Sequence, residues 1–171
     1  MHPMNETTLA ALRRFPELLE AHYELFPPSH RNWAPASWDD VPSERLTAIE
    51  QICHVRDIEV DGYHRRFERA LAEDNPQLPS IDTYGLAQER RYGSTDAAAA
   101  LRAFRVARER TIALLAGLGP AQLSRPAMFE GYGPVTVQGL IHYLCSHDQQ
   151  HLAGLQWLLG KIATGETGAN P

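Results

Sequence analysis

Apolar residues recur at every third or fourth position in four long segments of the chain, a spacing typical of amphipathic α-helices. Stretches rich in Pro, Gly, Asp and Ser separate the segments and are typical of loops. Ser43 and Ser94 are placed to cap the second and third helices. No segment carries a convincing strand pattern. The predicted helices cover approximately residues 6–26, 43–74, 94–118 and 136–161.

Four amphipathic helices in one chain predict an all-α four-helix bundle with long connecting loops. We expect residues 1–163 to form this domain and residues 164–171 to be a flexible tail. The long 75–93 connection is compatible with parallel second and third helices but does not require them. The predicted core stripe of the second helix is Leu46, Ile49, Cys53, Val60, Tyr63, Phe67 and Ala70.

Two histidines occupy the core stripe of the fourth helix, where packing alone predicts leucines. Residues four apart lie on one helix face, so the imidazoles of His147 and His151 can converge on one metal ion. A single core histidine is more often a hydrogen-bonded core residue, but this pair favours metal binding. The stripe reads Leu140, Leu144, His147, His151, Leu155 and Leu158.

A third ligand is needed, and His54 is the leading candidate because its depth in the second helix is compatible with that of His147. Its position beside the apolar stripe, on a face shared with several acids, is equally compatible with an exposed histidine. His64 lies near the same face and is the rival. The remaining histidines, expected at the surface, at its boundary or in flexible segments, are His2, His22, His30 and His142.

Composition and charge favour a single globular domain and argue against nucleic-acid-binding, membrane-spanning and secreted proteins. A chain of 171 residues with 43% apolar and 22% charged residues is typical of one globular domain. The net charge of −5 argues against nucleic-acid binding. No apolar run is long enough to span a membrane, and the polar N-terminus does not resemble a signal peptide. Cys53 and Cys145 fall within helical patterns as expected core residues, so we expect a reduced, cytoplasmic protein.

Three short motifs resemble the DinB-like superfamily of metal-binding four-helix bundles. They are ICHVRDIE at 52–59, DNP at 74–76 and HYLCSHDQQHL at 142–152, and the resemblance covers roughly residues 5–162. It implies an up-down-down-up bundle, frequent homodimers, and one divalent ion (zinc, nickel or iron) held by one histidine of the second helix and two of the fourth. The implied ligands are His54, His147 and His151.

Three neutral imidazoles would leave an ion its full charge and an open coordination position, which is the pattern of catalytic sites. Such an ion lowers the pKa of a bound water or thiol. Carboxylates commonly accept the second N–H of ligand imidazoles, and Asp57, Asp61 and Asp148 are the candidates here.

Relatives in the superfamily transfer low-molecular-weight thiols such as bacillithiol or isomerise maleylpyruvate with mycothiol, and many have no assigned reaction. The sequence therefore favours a metal-dependent enzyme acting on small molecules, as a thiol S-transferase or a hydrolase. Alternatives are a non-catalytic, stress-related metal-binding or dimerisation module, and a plain bundle with structural histidines. Trp33, Trp38 and Arg91 are candidate walls of a substrate cleft.

Overall fold

The computed structural model describes residues 6–168 and confirms a bundle of four long helices. The α-helices are α1 (Glu6–Glu24), α2 (Ala48–Asp57), α3 (His64–Ala72), α4 (Thr83–Glu89), α5 (Ala97–Ala116), α6 (Pro120–Leu123) and α7 (Val137–Ala163). The strands are β1 (Gln77–Leu78), β2 (Pro126–Phe129) and β3 (Gly133–Thr136). Short 3₁₀ turns cover Pro28–His30 and Tyr92–Ser94.

The bundle is up-down-down-up, because contacts between its helices follow a consistent order along the chain. The second long helix, α2 continued by α3, runs parallel to α5 and antiparallel to α7, and α1 is antiparallel to α5. The pairs that establish these directions are Glu59–Arg108, His64–Thr111, Gln51–His151, His54–His147, Leu12–Arg108 and Glu20–Arg105. The 75–93 connection therefore crosses the bundle.

A π-helical turn, Ile58–Tyr63, joins α2 to α3. Its wider turn departs locally from the 3.6-residue period, although the predicted stripe residues Phe67 and Ala70 beyond it are buried. Val60 was predicted in the core stripe, but it is 41% exposed. Glu59, which no apolar stripe predicts, is buried instead.

The helix caps differ from two predictions. α2 begins after Thr47, whose backbone N–H donates to the Glu50 carboxylate at 2.8 Å, so Ser43 lies outside the helix. Asp96 caps α5 in place of Ser94, and its carboxylate accepts the N–H of Ala98 at 2.9 Å.

The three strands form a small sheet that the sequence pattern did not predict. β1 pairs parallel to β2, and β2 pairs antiparallel to β3. Gly131 and Gly133 both have positive φ, near 80°, which permits the tight reversal between β2 and β3. Strands of two to four residues are too short for an alternating pattern, and Pro134 is tolerated because β3 is an edge strand.

The core consists of two apolar clusters separated by a polar layer. One cluster includes Phe15, Phe104 and Leu155, and the other includes Leu115 and Leu144. Between them lie buried charged and polar side chains from three of the long helices. These side chains are His54, Asp57, Glu59, Arg108, Thr111, Asp148 and His151.

Within the described residues, no helix combines the length and apolar character needed to cross a membrane. Beyond α7, Glu166 pairs with Lys161 at 3.0 Å, and Gly168 bridges to Pro35. The domain boundary and the flexibility of 164–171 stay predictions; residues 169–171 and His2 lie outside the described range.

Candidate metal centre

Three imidazoles and one carboxylate converge inside the polar layer. The Nε2 atom of His147 lies 3.2 Å from the Nε2 atoms of both His54 and His151. Glu44, from the loop before α2, places Oε2 3.2 Å from His151 Nε2 and Oε1 3.6 Å from His54 Nε2. All four candidate donors lie within 4.8 Å of one another.

These distances fit a bound divalent ion. Two nitrogen donors at about 2.0–2.1 Å from one ion, in tetrahedral arrangement, lie about 3.3–3.4 Å apart. The contacts at 3.2 Å are close to that value. Lone pairs packed this closely repel unless positive charge lies among them, and a single proton bridges only one pair. The buried Glu44 Oε2 also lacks a hydrogen-bond partner among the described residues, so the donor set suits a cation.

Gln51 fixes the tautomer of His151. The fully buried Gln51 amide donates its Nε2–H to the Leu46 carbonyl at 3.3 Å, which leaves its Oε1 facing His151 Nδ1 at 3.0 Å. Because an amide oxygen only accepts, Nδ1 of His151 carries the hydrogen. The lone pair of neutral His151 is therefore on Nε2, within the cluster.

Gly154 lets α7 approach this support. A Cβ at that position would lie 2.2 Å from Ser43 Oγ and 2.9 Å from Gln51 Oε1. The glycine therefore makes room for Gln51 and for the loop that carries Glu44.

Burial and neighbouring charges favour the neutral forms of His54 and His147. Burial, with a smaller contribution from the charge of His151, lowers the pKa of His54 to about 3, although the charges of Glu44 and Asp57 oppose the shift. Burial, His151 and His54 likewise hold the pKa of His147 well below its ordinary value. Burial alone would raise the pKa of Glu44, but its close contact with His151 and the charges of the three histidines lower it. Neutral imidazole and ionised carboxylate are the protonation states that bind metals.

The sequence predicted the three histidines but not Glu44. His54 is 1% exposed, which excludes the alternative of an exposed histidine. Its rival, His64, instead contacts the Ala107 carbonyl and Thr111 hydroxyl, each at 3.0 Å. Glu44 lies in a loop without periodicity, and its nearness to His151 depends on how that loop folds.

Each of the three aspartates predicted to support the ligand histidines accepts a hydrogen bond from an arginine. Asp57 accepts hydrogen bonds from Arg56 and from the hydroxyl of Tyr92, and Asp61 accepts one from Arg90. The guanidinium groups lie within hydrogen-bond distance of these carboxylates, and a charged guanidinium binds a carboxylate more strongly than a neutral imidazole N–H does.

Asp148 belongs to a buried ionic network centred on Arg108. The guanidinium forms paired hydrogen bonds with Asp148, at 2.7 and 2.9 Å, and with Glu59, at 2.8 and 3.0 Å. Thr111 donates its hydroxyl to Glu59 at 2.5 Å. Burial raises the pKa of Asp148 to about 7, opposed by Arg108 and assisted by Glu59. The network links three long helices beside the metal centre.

An open cleft of about 260 Å³ reaches the centre at Glu44 and His147. Its walls come mainly from α7, the π-turn, residues 80–83 and the end of β2 with its following turn, rather than from the predicted Trp33, Trp38 and Arg91. Both tryptophans pack against the core instead. The lining aromatic and cationic side chains are Tyr63, Arg66, Phe129, Tyr132 and Tyr143.

The two cysteines lie in or beside the core, as predicted. Cys53 is fully buried, and Cys145 is half-buried against the second apolar cluster. Burial raises the pKa of both thiols, so neither is an activated thiolate.

Comparison with known families agrees with this geometry. The sequence model of the DinB superfamily matches residues 11–155, which include Glu44 and the three histidines. The chain belongs to the DinB superfamily.

A solved structure, YfiT from Bacillus subtilis, is described as a probable metal-dependent hydrolase with an unusual four-helix bundle topology. It matches this DinB-superfamily chain with a TM-score of 0.80 and 19% identity, over 95% of this chain and 88% of YfiT. At that identity the match shows the fold. A search of curated proteins gave no significant match.

Proposed function

We propose that this protein is a divalent-metal-dependent enzyme that activates a small nucleophile for attack on a small-molecule electrophile. The observation that carries the proposal is that an open cleft reaches the His54–His147–His151–Glu44 cluster at Glu44 and His147. A walled-off cluster would favour a non-catalytic binding module. The description of YfiT as a probable metal-dependent hydrolase supports hydrolysis, and the superfamily resemblance supports thiol transfer.

We propose that His54, His147 and His151 bind the ion. Imidazole nitrogen is a suitable ligand for zinc, nickel and iron. A bound ion would supply a Lewis acid that lowers the pKa of a water or thiol at neutral pH. Gln51 keeps the lone pair of His151 directed at the cluster. Glu44 lines the cleft and is only partly buried, so we assign it as the proton acceptor for the nucleophile.

Two reactions use this arrangement. In hydrolysis, water oxygen bonds to an acyl carbon, and Glu44 takes its proton and returns it to the departing alkoxide. In thiol transfer, sulfur bonds to an electrophilic carbon, the leaving group departs with its electron pair, and Glu44 takes the thiol proton. Both reactions need the same centre, so one set of variants tests both.

The experiment compares metal-loaded and metal-stripped protein on p-nitrophenyl acetate, and on monobromobimane with free cysteine. We expect metal-dependent turnover in one of the assays. Turnover should be lost in His147→Ala, and it should be unchanged in His142→Ala, which alters an exposed residue of the same helix. Glu44→Gln should keep its metal and lower kcat by about 10²–10⁴-fold. Equal turnover with and without metal would contradict the proposal, and metal loss in Glu44→Gln would make Glu44 a ligand.

We further propose that the protein is a homodimer, which the superfamily resemblance supports. We also propose that it is cytoplasmic, which its two unpaired cysteines support. Multi-angle light scattering of the purified protein measures the mass of the assembly directly. A mass close to the 19.1 kDa of one chain would contradict the dimer.

A further inference from the structure

Arg66 is a buried cation without an anionic partner in the described part of the chain. It lies on α3, is 6% exposed, and lines the same cleft as His147 and Glu44. No carboxylate among residues 6–168 forms an ion pair with it, and its Nε–H has no hydrogen-bond partner there. Within that range its one hydrogen bond is from Nη2 to the Pro79 carbonyl, at 3.2 Å. A buried charge is costly unless it is paired, so the arrangement requires an explanation.

The fold holds this guanidinium in place. It lies over the ring of Phe129, 4.5 Å from the centroid, and over that of Tyr63, at 5.0 Å. Gly62, in the π-turn, makes room for it, because a Cβ there would lie 2.9 Å from Arg66 Nη1. Stacking on two rings and a glycine beneath the group restrict its orientation.

Nearby carboxylates are already engaged. Glu44 contacts the histidines, Asp61 pairs with Arg90, and Glu130 accepts the backbone N–H of Ser80 at 2.8 Å. None of them neutralises Arg66. Arg66 lines a small cleft with its charge unpaired, and the planar donor arrangement of a guanidinium matches a ligand carboxylate.

We propose that Arg66 binds a carboxylate of the substrate in the cleft that reaches the metal centre. The inference rests on the proposed function and narrows it to small carboxylic acids whose reacting carbon lies toward His147. A monoanionic carboxylate balances the one unpaired positive charge. The rings of Tyr132, Tyr143 and Phe129 suit an apolar or aromatic body between the two ends.

The experiment measures the binding of benzoate and of benzamide, its uncharged isostere, by calorimetry. Metal-loaded and metal-stripped protein are compared, with metal content determined separately. We expect benzoate to bind at least tenfold more tightly than benzamide in both forms. Arg66→Met should abolish the preference, whereas Arg65→Met, at an exposed site one residue away, should keep it.

Several results would overturn the inference. Equal affinities in the wild type, or a preference that survives Arg66→Met, would show that Arg66 does not bind the carboxylate. A preference that disappears when metal is stripped would assign the carboxylate to the ion. Because metal-stripped protein is also tested, the role of Arg66 can be judged even if the wild type binds no metal.

A second measurement does not depend on the folding of Arg66→Met. In ¹⁵N NMR spectra of the wild type, benzoate should shift the Arg66 Nε–Hε resonance and benzamide should not. The resonance is assigned with the charge-conserving variant Arg66→Lys, because the Arg66 Nε–Hε signal is missing from its spectrum. A resonance that benzoate leaves unmoved contradicts the inference.

Discussion

His151 donates its Nδ1–H to Oε1 of Gln51 at 3.0 Å, across a separation of 100 positions in the chain. The amide orientation follows from the Leu46 carbonyl, which accepts the other end of the same side chain. This contact joins α2 to α7 and decides which ring nitrogen of His151 holds a lone pair toward the cluster. Support of this kind for a ligand histidine sets its orientation and basicity.

Gln51→Leu should weaken metal binding about 10–100-fold, because the His151 tautomer is no longer held. Competition with a chromogenic chelator measures the affinity. Gln156→Leu, at an exposed position of α7, is the matched control and should bind metal as the wild type does. An unchanged affinity in Gln51→Leu would show that Gln51 does not support the ligand.

Arg108→Met should lower the free energy of unfolding by about 3–5 kcal/mol, because it leaves two buried carboxylates without their cation. Urea denaturation of the metal-stripped protein measures the loss apart from any contribution of the ion. The control is Arg105→Met, which removes a partly exposed ion pair with Glu20 and should cost at most about 1 kcal/mol. Equal losses in the two variants would mean that the buried network contributes no more than a surface pair.

The α7 part of the centre could be predicted from sequence because it depends on local periodicity alone. Leu140, Leu144, Leu155 and Leu158 are all buried, His151 between them is buried as well, and His147 is half-buried on the same helix. His54 needed more than periodicity. Its burial follows from the packing of α2 against α7. Only the superfamily resemblance implied that His54 lies beside the two histidines of α7.

The missed features depend on contacts between distant segments or on short elements. Glu44 reaches the histidines from a loop, and Gly154 is required only because Gln51 and Ser43 approach it. The π-turn shifted Val60 to the surface, which a uniform helical period does not anticipate. The strands were too short to carry a pattern, although β2 contributes Phe129 to the wall of the cleft.

The most direct test of the metal centre is the metal content of protein purified without an affinity tag, measured by mass spectrometry. The wild type should hold close to one equivalent of a divalent ion per chain. His147→Ala should lose most of it, and His142→Ala should retain it. Less than about half an equivalent in the wild type, unchanged in His147→Ala, would contradict a three-histidine metal centre.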